Sequence, residues 1–186
     1  MPIGIISGYR RGIVDDVLMR IMDAVVAFPG LILALGLVAA LRGSLRNLVI
    51  AIRIANVPWV ARLVRAQVLS VSQQDFILAA RAVGSGHVRI MAIHIAPHSL
   101  APVIVQSTLG MGYAVLTEAS LSFIGAGVPP PTPTWDSMLQ FAFGFLEREP
   151  LLSIVPGLAI FLLVLSFNLL GDILRDVLDP RLRGTR

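Results

Sequence analysis

Few residues in this chain have the chemistry to act on a substrate or bind an ion, and their spacing limits what they can do. His94 and His98 form an H-x3-H pair, a spacing that puts two imidazoles on one helical face as a metal site requires. Pro97 stands between them and disturbs that face, and no third ligand lies nearby. No metal is therefore assigned, and His94 is better understood as part of a loop pattern. Glu118 is a carboxylate within a long apolar stretch, where an ionisable group is a functional candidate by default. It can line a transport path or accept hydrogen bonds from a neighbouring helix end. Arg53 interrupts another apolar stretch, and Asn56, three residues on, shares its helical face and is placed to help solvate it. Asn168 suits a hydrogen bond between membrane helices. An intramembrane hydrolase would need a Ser–His, paired-Asp or metal constellation, and the sequence offers none, so no catalytic residue is assigned. The chain contains no lysine and no cysteine. The missing lysine excludes a Walker A nucleotide site, and the missing cysteine excludes disulfides and thiolate sites.

The elements that position these residues are membrane helices. Of 186 residues, 56% are hydrophobic and only 14% charged, against about 25% charged in a soluble domain. A span needs about 20 largely apolar residues. Charge-free runs at 24–41 and 150–171, and a stretch from Arg89 to Glu118 whose only groups that titrate near neutral pH are His94 and His98, give spans at 23–42, 98–121 and 151–171. A weaker span, 46–65, is interrupted by Arg53. Glycines 110 and 112 suit close helix packing within the third span. Basic residues concentrate in short cytoplasmic loops. Eleven of the fifteen arginines (10, 11, 20, 62, 65, 81, 89, 175, 181, 183 and 186) fall on one side of this arrangement, against Arg42, Arg46 and Arg148 on the other. Both termini and the 66–96 loop are therefore expected in the cytoplasm. This flanking pattern accounts for the basic charge, so nucleic acid is not an expected partner, whereas membrane lipid is. Met1–Gly12 has its positive charge after the apolar run, the reverse of a signal peptide, and resembles the cytoplasmic end of a helix; the alternative is an interfacial N-terminal segment. On the outer side, Pro129, Pro130, Pro131 and Pro133 keep the chain extended. Trp135 is then placed to anchor at the surface, and 138–146 suits a short helix.

The 66–96 loop is too long for a plain connection, which runs to about 2–8 residues between helices. Ser72 followed by Asp75 predicts a capping box, and Phe76, Ala80 and Val83 recur at helical spacing as an apolar stripe. Gly84-Ser85-Gly86 stops that helix, a second begins near His87, and Pro97 closes it. Two short helices at a sharp turn between spans make a compact knob suited to docking.

Ala79-Ala80, Gly84 and His94-Ile95-Ala96-Pro97 together resemble the "EAA" loop of ABC importer permeases, with the closer likeness to the peptide/nickel (dipeptide and oligopeptide) type. Four further segments agree: Met19–Asp23 leading to Phe28-Pro29; Ala61–Arg65; Glu118–Gly125 with Pro130–Trp135; and Pro156–Phe161 through Asn168–Asp172 to Leu178–Arg181. The likeness covers essentially the whole chain. It implies an all-α, polytopic membrane helix bundle of the type I ABC importer permease kind, a single transmembrane domain over 1–186 with about four spans, in a bacterial plasma (inner) membrane. It further implies a second homologous permease subunit, two cytoplasmic ATPase subunits and an external solute-binding protein as partners, and no cofactor. Ala79, Ala80, Gly84, His94 and Pro97 would form the ATPase-coupling loop, while Arg53, Asn56, Glu118 and Asn168 would serve the translocation path or helix packing. Two positions depart from the pattern: Leu78 stands where a glutamate is usual, which removes one polar contact with the ATPase, and Ala96 replaces a leucine. The family ordinarily has six spans, and this chain begins near the end of the second, so the expectation is a truncated chain or a misplaced start, with a chain that works with four spans as the alternative. The alternative function is a channel or secondary transporter without an ATPase, but secondary carriers favour internal repeats, and no convincing repeat is present.

Overall fold

The computed structural model describes residues 1–41, 44–129 and 131–178. Arg42, Gly43, Pro130 and residues 179–186 lie outside them, and with these the Asp179-Pro180-Arg181 end of the last matching segment, together with Arg183 and Arg186. The described residues contain helices and no strand. In order they are α1 (Pro2–Arg10), α2 (Gly12–Val26), α3 (Gly30–Leu41), α4 (Leu45–Val71), α5 (Asp75–Ala82), α6 (His87–Arg89), a π-helical segment (Ile90–Ile95), α7 (Ala96–His98), α8 (Leu100–Phe123), α9 (Trp135–Phe143) and α10 (Leu151–Leu178). The 27, 24 and 28 residues of α4, α8 and α10 are long and apolar enough to cross a bilayer; counting α2 with α3 as one broken span makes four. The break falls at Ala27–Pro29, inside the single 23–42 span that the sequence suggests. Pro29 supplies no N–H and disfavours helical geometry at Phe28 before it. Pro58 and Pro156, by contrast, sit inside continuous helices, as membrane helices tolerate.

The chain divides into two compact units. The first comprises residues 1–27, 57–106 and, of those described, 173–178. Its core joins Val64, Val68 and Val71 of α4 to Tyr9, Ile77, Ala80, Ile90, Ile95 and Val103. Within it α1 lies directly on α4. A Cβ at Gly4 would meet the Ala61 carbonyl and come within 2.7 Å of Val64 Cβ, and one at Gly8 would lie 2.9 Å from both Val68 Cβ and the Arg65 carbonyl. Glycines four apart let two membrane helices approach to backbone contact. The corner between α1 and α2 holds Arg11 at φ 52°, a region costly for a non-glycine residue. Asp15, just past that corner, is buried and accepts a hydrogen bond from the Ser7 hydroxyl. It also accepts two bonds from Arg65, each 2.6 Å long, so the corner is held from both sides.

The second unit comprises 28–56 and 107–172. Ala34 and Val38 of α3 pack with Leu48, Ala51 and Ile52 of α4 and Leu121 of α8. Of the two glycines in α8, a Cβ at Gly112 would lie 3.4 Å from Val164 of α10, whereas Gly110 faces open space. A Cβ at Gly171 would come within 3.0 Å of Leu109 and Thr108. Leu158, Phe161, Leu162, Leu165 and Leu169 of α10 stay exposed. In water such a face would drive aggregation, while against lipid or another membrane helix it is an ordinary exterior.

Candidate functional site: the loop between α4 and α8

The loop begins differently from the capping box expected at Ser72. Gln74 occupies the N-cap of α5 without a side-chain bond, and the Ser72 hydroxyl is buried with no hydrogen-bond partner among the described residues. A reciprocal capping box does occur at α9, where Thr134 and Ser137 exchange bonds of 3.3 and 3.2 Å. The buried face of α5 is also shifted from the expected stripe. Ile77 and Ala80 enter the core, while Val83 is 82% exposed and Phe76 turns outward to stack on His98 at 4.9 Å. Residues spaced i, i+3 share a face as well as i, i+4 ones do, and the valines of α4 select the Ile77 face.

The reversal at Gly84 is as expected. Ser85 N–H donates to the Ala80 carbonyl at 3.0 Å and Gly84 N–H to Arg81 at 2.9 Å. These two bonds form a Schellman closure, which requires a left-handed residue between helix and exit, and Gly84 sits at φ 78°. The second arm is one winding run from His87 to His98 with a π-helical middle over Ile90–Ile95. Pro97 offers no N–H to the Ile93 carbonyl, and its ring crowds that oxygen; a wider π turn relieves both, and such turns recur at functional sites. The His98 ring nitrogen lies 2.7 Å from the backbone oxygen of His94. The pair is thus joined ring to backbone, not imidazole to imidazole. Ala79 is exposed beside Ala80, as is Leu78, which is 52% accessible at the position of the missing carboxylate.

All five loop residues belong to the first unit, whereas Arg53, Asn56, Glu118 and Asn168 belong to the second. Arg53 is exposed, with no ion pair among the described residues. Asn56, on the same helix, donates its amide N–H to the Ile52 carbonyl at 2.9 Å. Asn168 likewise bonds Val164 within α10 at 3.0 Å, where the sequence suggests an interhelical bond. Glu118 is half-buried beside the carboxyl of Asp136, a residue only 5% exposed in the first turn of α9.

With a folded loop set between long apolar helices, comparison with known proteins is decisive. Residues 1–184 match the model of the binding-protein-dependent transport system inner membrane component family. The chain belongs to that family. It is similar to the dipeptide transport system permease protein DppC of Alkalihalophilus pseudofirmus, with 46% identity over 182 residues, covering 98% of this chain and 60% of that one. It is also similar to DppC of Haemophilus influenzae, with 42% identity over 181 residues, covering 97% and 61%. The glutathione transport system permease protein GsiD of Escherichia coli O157:H7 shares 44% identity over 176 residues, covering 95% and 58%. The chain thus spans about three-fifths of the length of these relatives. These relatives are transport permeases and not enzymes.

As a transport-system inner membrane component, the chain carries polar contacts that spacing alone did not reveal. Asp15 and Asp23 of α2 pair with Arg65 and Arg62 of α4, the latter at 2.7 Å. A Gly-x3-Gly signal at Gly4 and Gly8 was present in the sequence and foretells the α1–α4 approach. A cavity of about 660 Å³ opens in the second unit among Val38, Ser122, Ala126, Val128, Pro133 and Gln140. The Gln140 amide closes onto the Phe123 carbonyl at 3.1 Å there.

Proposed function

We propose that this chain works as a permease subunit of an ATP-driven ABC importer for peptides or related small solutes. The observation that carries this reading is the 72–98 knob: two helical arms closed at Gly84 by a Schellman turn and seated on α4 through Ile77, Ala80, Ile90 and Ile95. Without a lysine this sequence has no Walker A nucleotide site, so the work is supplied by a partner, and a knob packed on a spanning helix is built to receive it. Two cytoplasmic ATPase subunits close on ATP and displace the knob as a body. The spans then rock between two states that bind the solute differently. A second homologous permease completes the pathway, and an external binding protein delivers the solute. The names of the relatives, dipeptide and glutathione transport permeases, favour peptide-like solutes. The arginine distribution supports a multi-pass placement in the bacterial inner membrane with the termini and the knob in the cytoplasm. No bond is made or broken by this subunit, and no catalytic residue is assigned.

The test is co-purification of the tagged permease with its ATPase subunits, followed by uptake of a labelled dipeptide into vesicles holding the full transporter. Retention of the ATPase and uptake that requires ATP are expected. Uptake without a bound ATPase would instead identify a channel or secondary carrier.

A further inference from the structure

Tyr9 lies one residue before the end of α1 and is only 9% exposed. Its hydroxyl is 2.9 Å from Nδ1 of His87, and the two rings meet edge to face with centroids 5.7 Å apart. The Arg81 guanidinium stands over the same ring, 5.4 Å from its centroid, within the range of a cation–π contact. Arg81 belongs to the arm before Gly84 and His87 to the arm after it. One side chain therefore grips both arms of the knob. The helix that carries it is fixed to α4 at Gly4 and Gly8 and again through the Ser7–Asp15–Arg65 chain of bonds. Covalently, the knob joins α4 through the turn at 72–74, where the Ser72 hydroxyl has no partner among the described residues. Across Tyr9 it joins α4 through two rigid contacts in series.

We propose that Tyr9 is a positioning residue for coupling: it holds the two arms at a fixed angle and passes their displacement through α1 to α4. This inference rests on the chain being an ATP-coupled permease. The sequence gives no hint of it, because Tyr9 and His87 are 78 residues apart. The ring and the hydroxyl have separable duties, the ring facing Arg81 and the hydroxyl His87. Tyr9→Phe removes the second and keeps the first.

The experiment uses the complete transporter in vesicles and measures labelled dipeptide taken up per ATP hydrolysed, alongside retention of the ATPase subunits. Tyr9→Phe should retain the ATPase as the wild type does, yet its uptake per ATP should fall about fivefold, the order expected for one lost hydrogen bond. His87→Ala should give a similar fall, and the double variant should be no worse than either single one, as partners in a single bond behave. An unchanged ratio in Tyr9→Phe, or losses that multiply in the double variant, would overturn the inference while leaving the transport function intact. Loss of the ATPase from Tyr9→Phe would also overturn it, by making the residue a general support of the loop. Absence of ATP-driven uptake in the wild type would overturn the transport function itself, and this role with it.

Discussion

The two halves of α4 treat the same side chain in opposite ways. Near its C-terminal end, Arg65 makes a two-pronged ion pair with Asp15 and Arg62 bonds Asp23. About three turns earlier Arg53 is exposed, with no ion pair among the described residues. A guanidinium satisfied inside the chain holds α2 against α4 and is part of the fold. One left to its surroundings belongs to whatever covers it, because a bare arginine at mid-span costs on the order of 2.5–3.5 kcal/mol on insertion scales. The Asp15–Arg65 pair, with its carboxylate nearly enclosed, should also matter more than the Asp23–Arg62 pair, whose side chains are 64% and 41% exposed.

Substitutions can break this contrast in graded steps. The largest effect on the fold should come from Gly8→Leu, which forces atoms into the Arg65 backbone that carries the paired guanidinium; a loss of about 3 kcal/mol is expected. Unfolding of the purified protein in detergent measures it, and a change within about half a kcal/mol would mean that α1 does not pack on α4. Asp15→Asn keeps the shape and removes the charge, and should cost about 2 kcal/mol in the same assay, the range for a hydrogen bond to a charged group. Arg62→Ala should cost about 0.5 kcal/mol, as exposed pairs do. A larger loss from Arg62→Ala than from Asp15→Asn would invert the ranking by burial. Arg53→Leu should leave the stability of the isolated chain unchanged or raised but impair uptake or subunit assembly. Full uptake with improved expression would show a tolerated charge with no partner to serve.

These contacts also mark where the sequence was legible. The spans were readable because twenty apolar residues have few alternatives, yet α4 runs to Val71, past the expected end at 65. Arg62 and Arg65 looked like the flank of a span, but they lie inside α4 and pair with Asp23 and Asp15 of α2. The Gly84 turn was readable because a left-handed closure is a local property of one residue. Ser72 misled because Ser-x-x-Asp is a weak signal, and burial against the valines of α4 chose Gln74 as the start of α5 instead. The Phe76 and Val83 stripe failed for the same reason, the packed face being set by the core. Glu118 was singled out without Asp136, and Tyr9 was passed over, because both pairings form across distant parts of the chain.

The central claim is that the knob transmits work, and Gly84 is where it can be tested most cleanly. A Cβ there meets nothing within 4 Å, so Gly84→Val adds no clash, while its positive φ opposes a β-branched side chain. The decisive measurement is ATP-dependent uptake of a labelled dipeptide by vesicles holding the complete transporter with this substitution. The variant is expected to insert in the membrane in normal amount, bind its ATPase weakly and lose ATP-driven uptake. Normal uptake would contradict the account and reduce the loop to a connector.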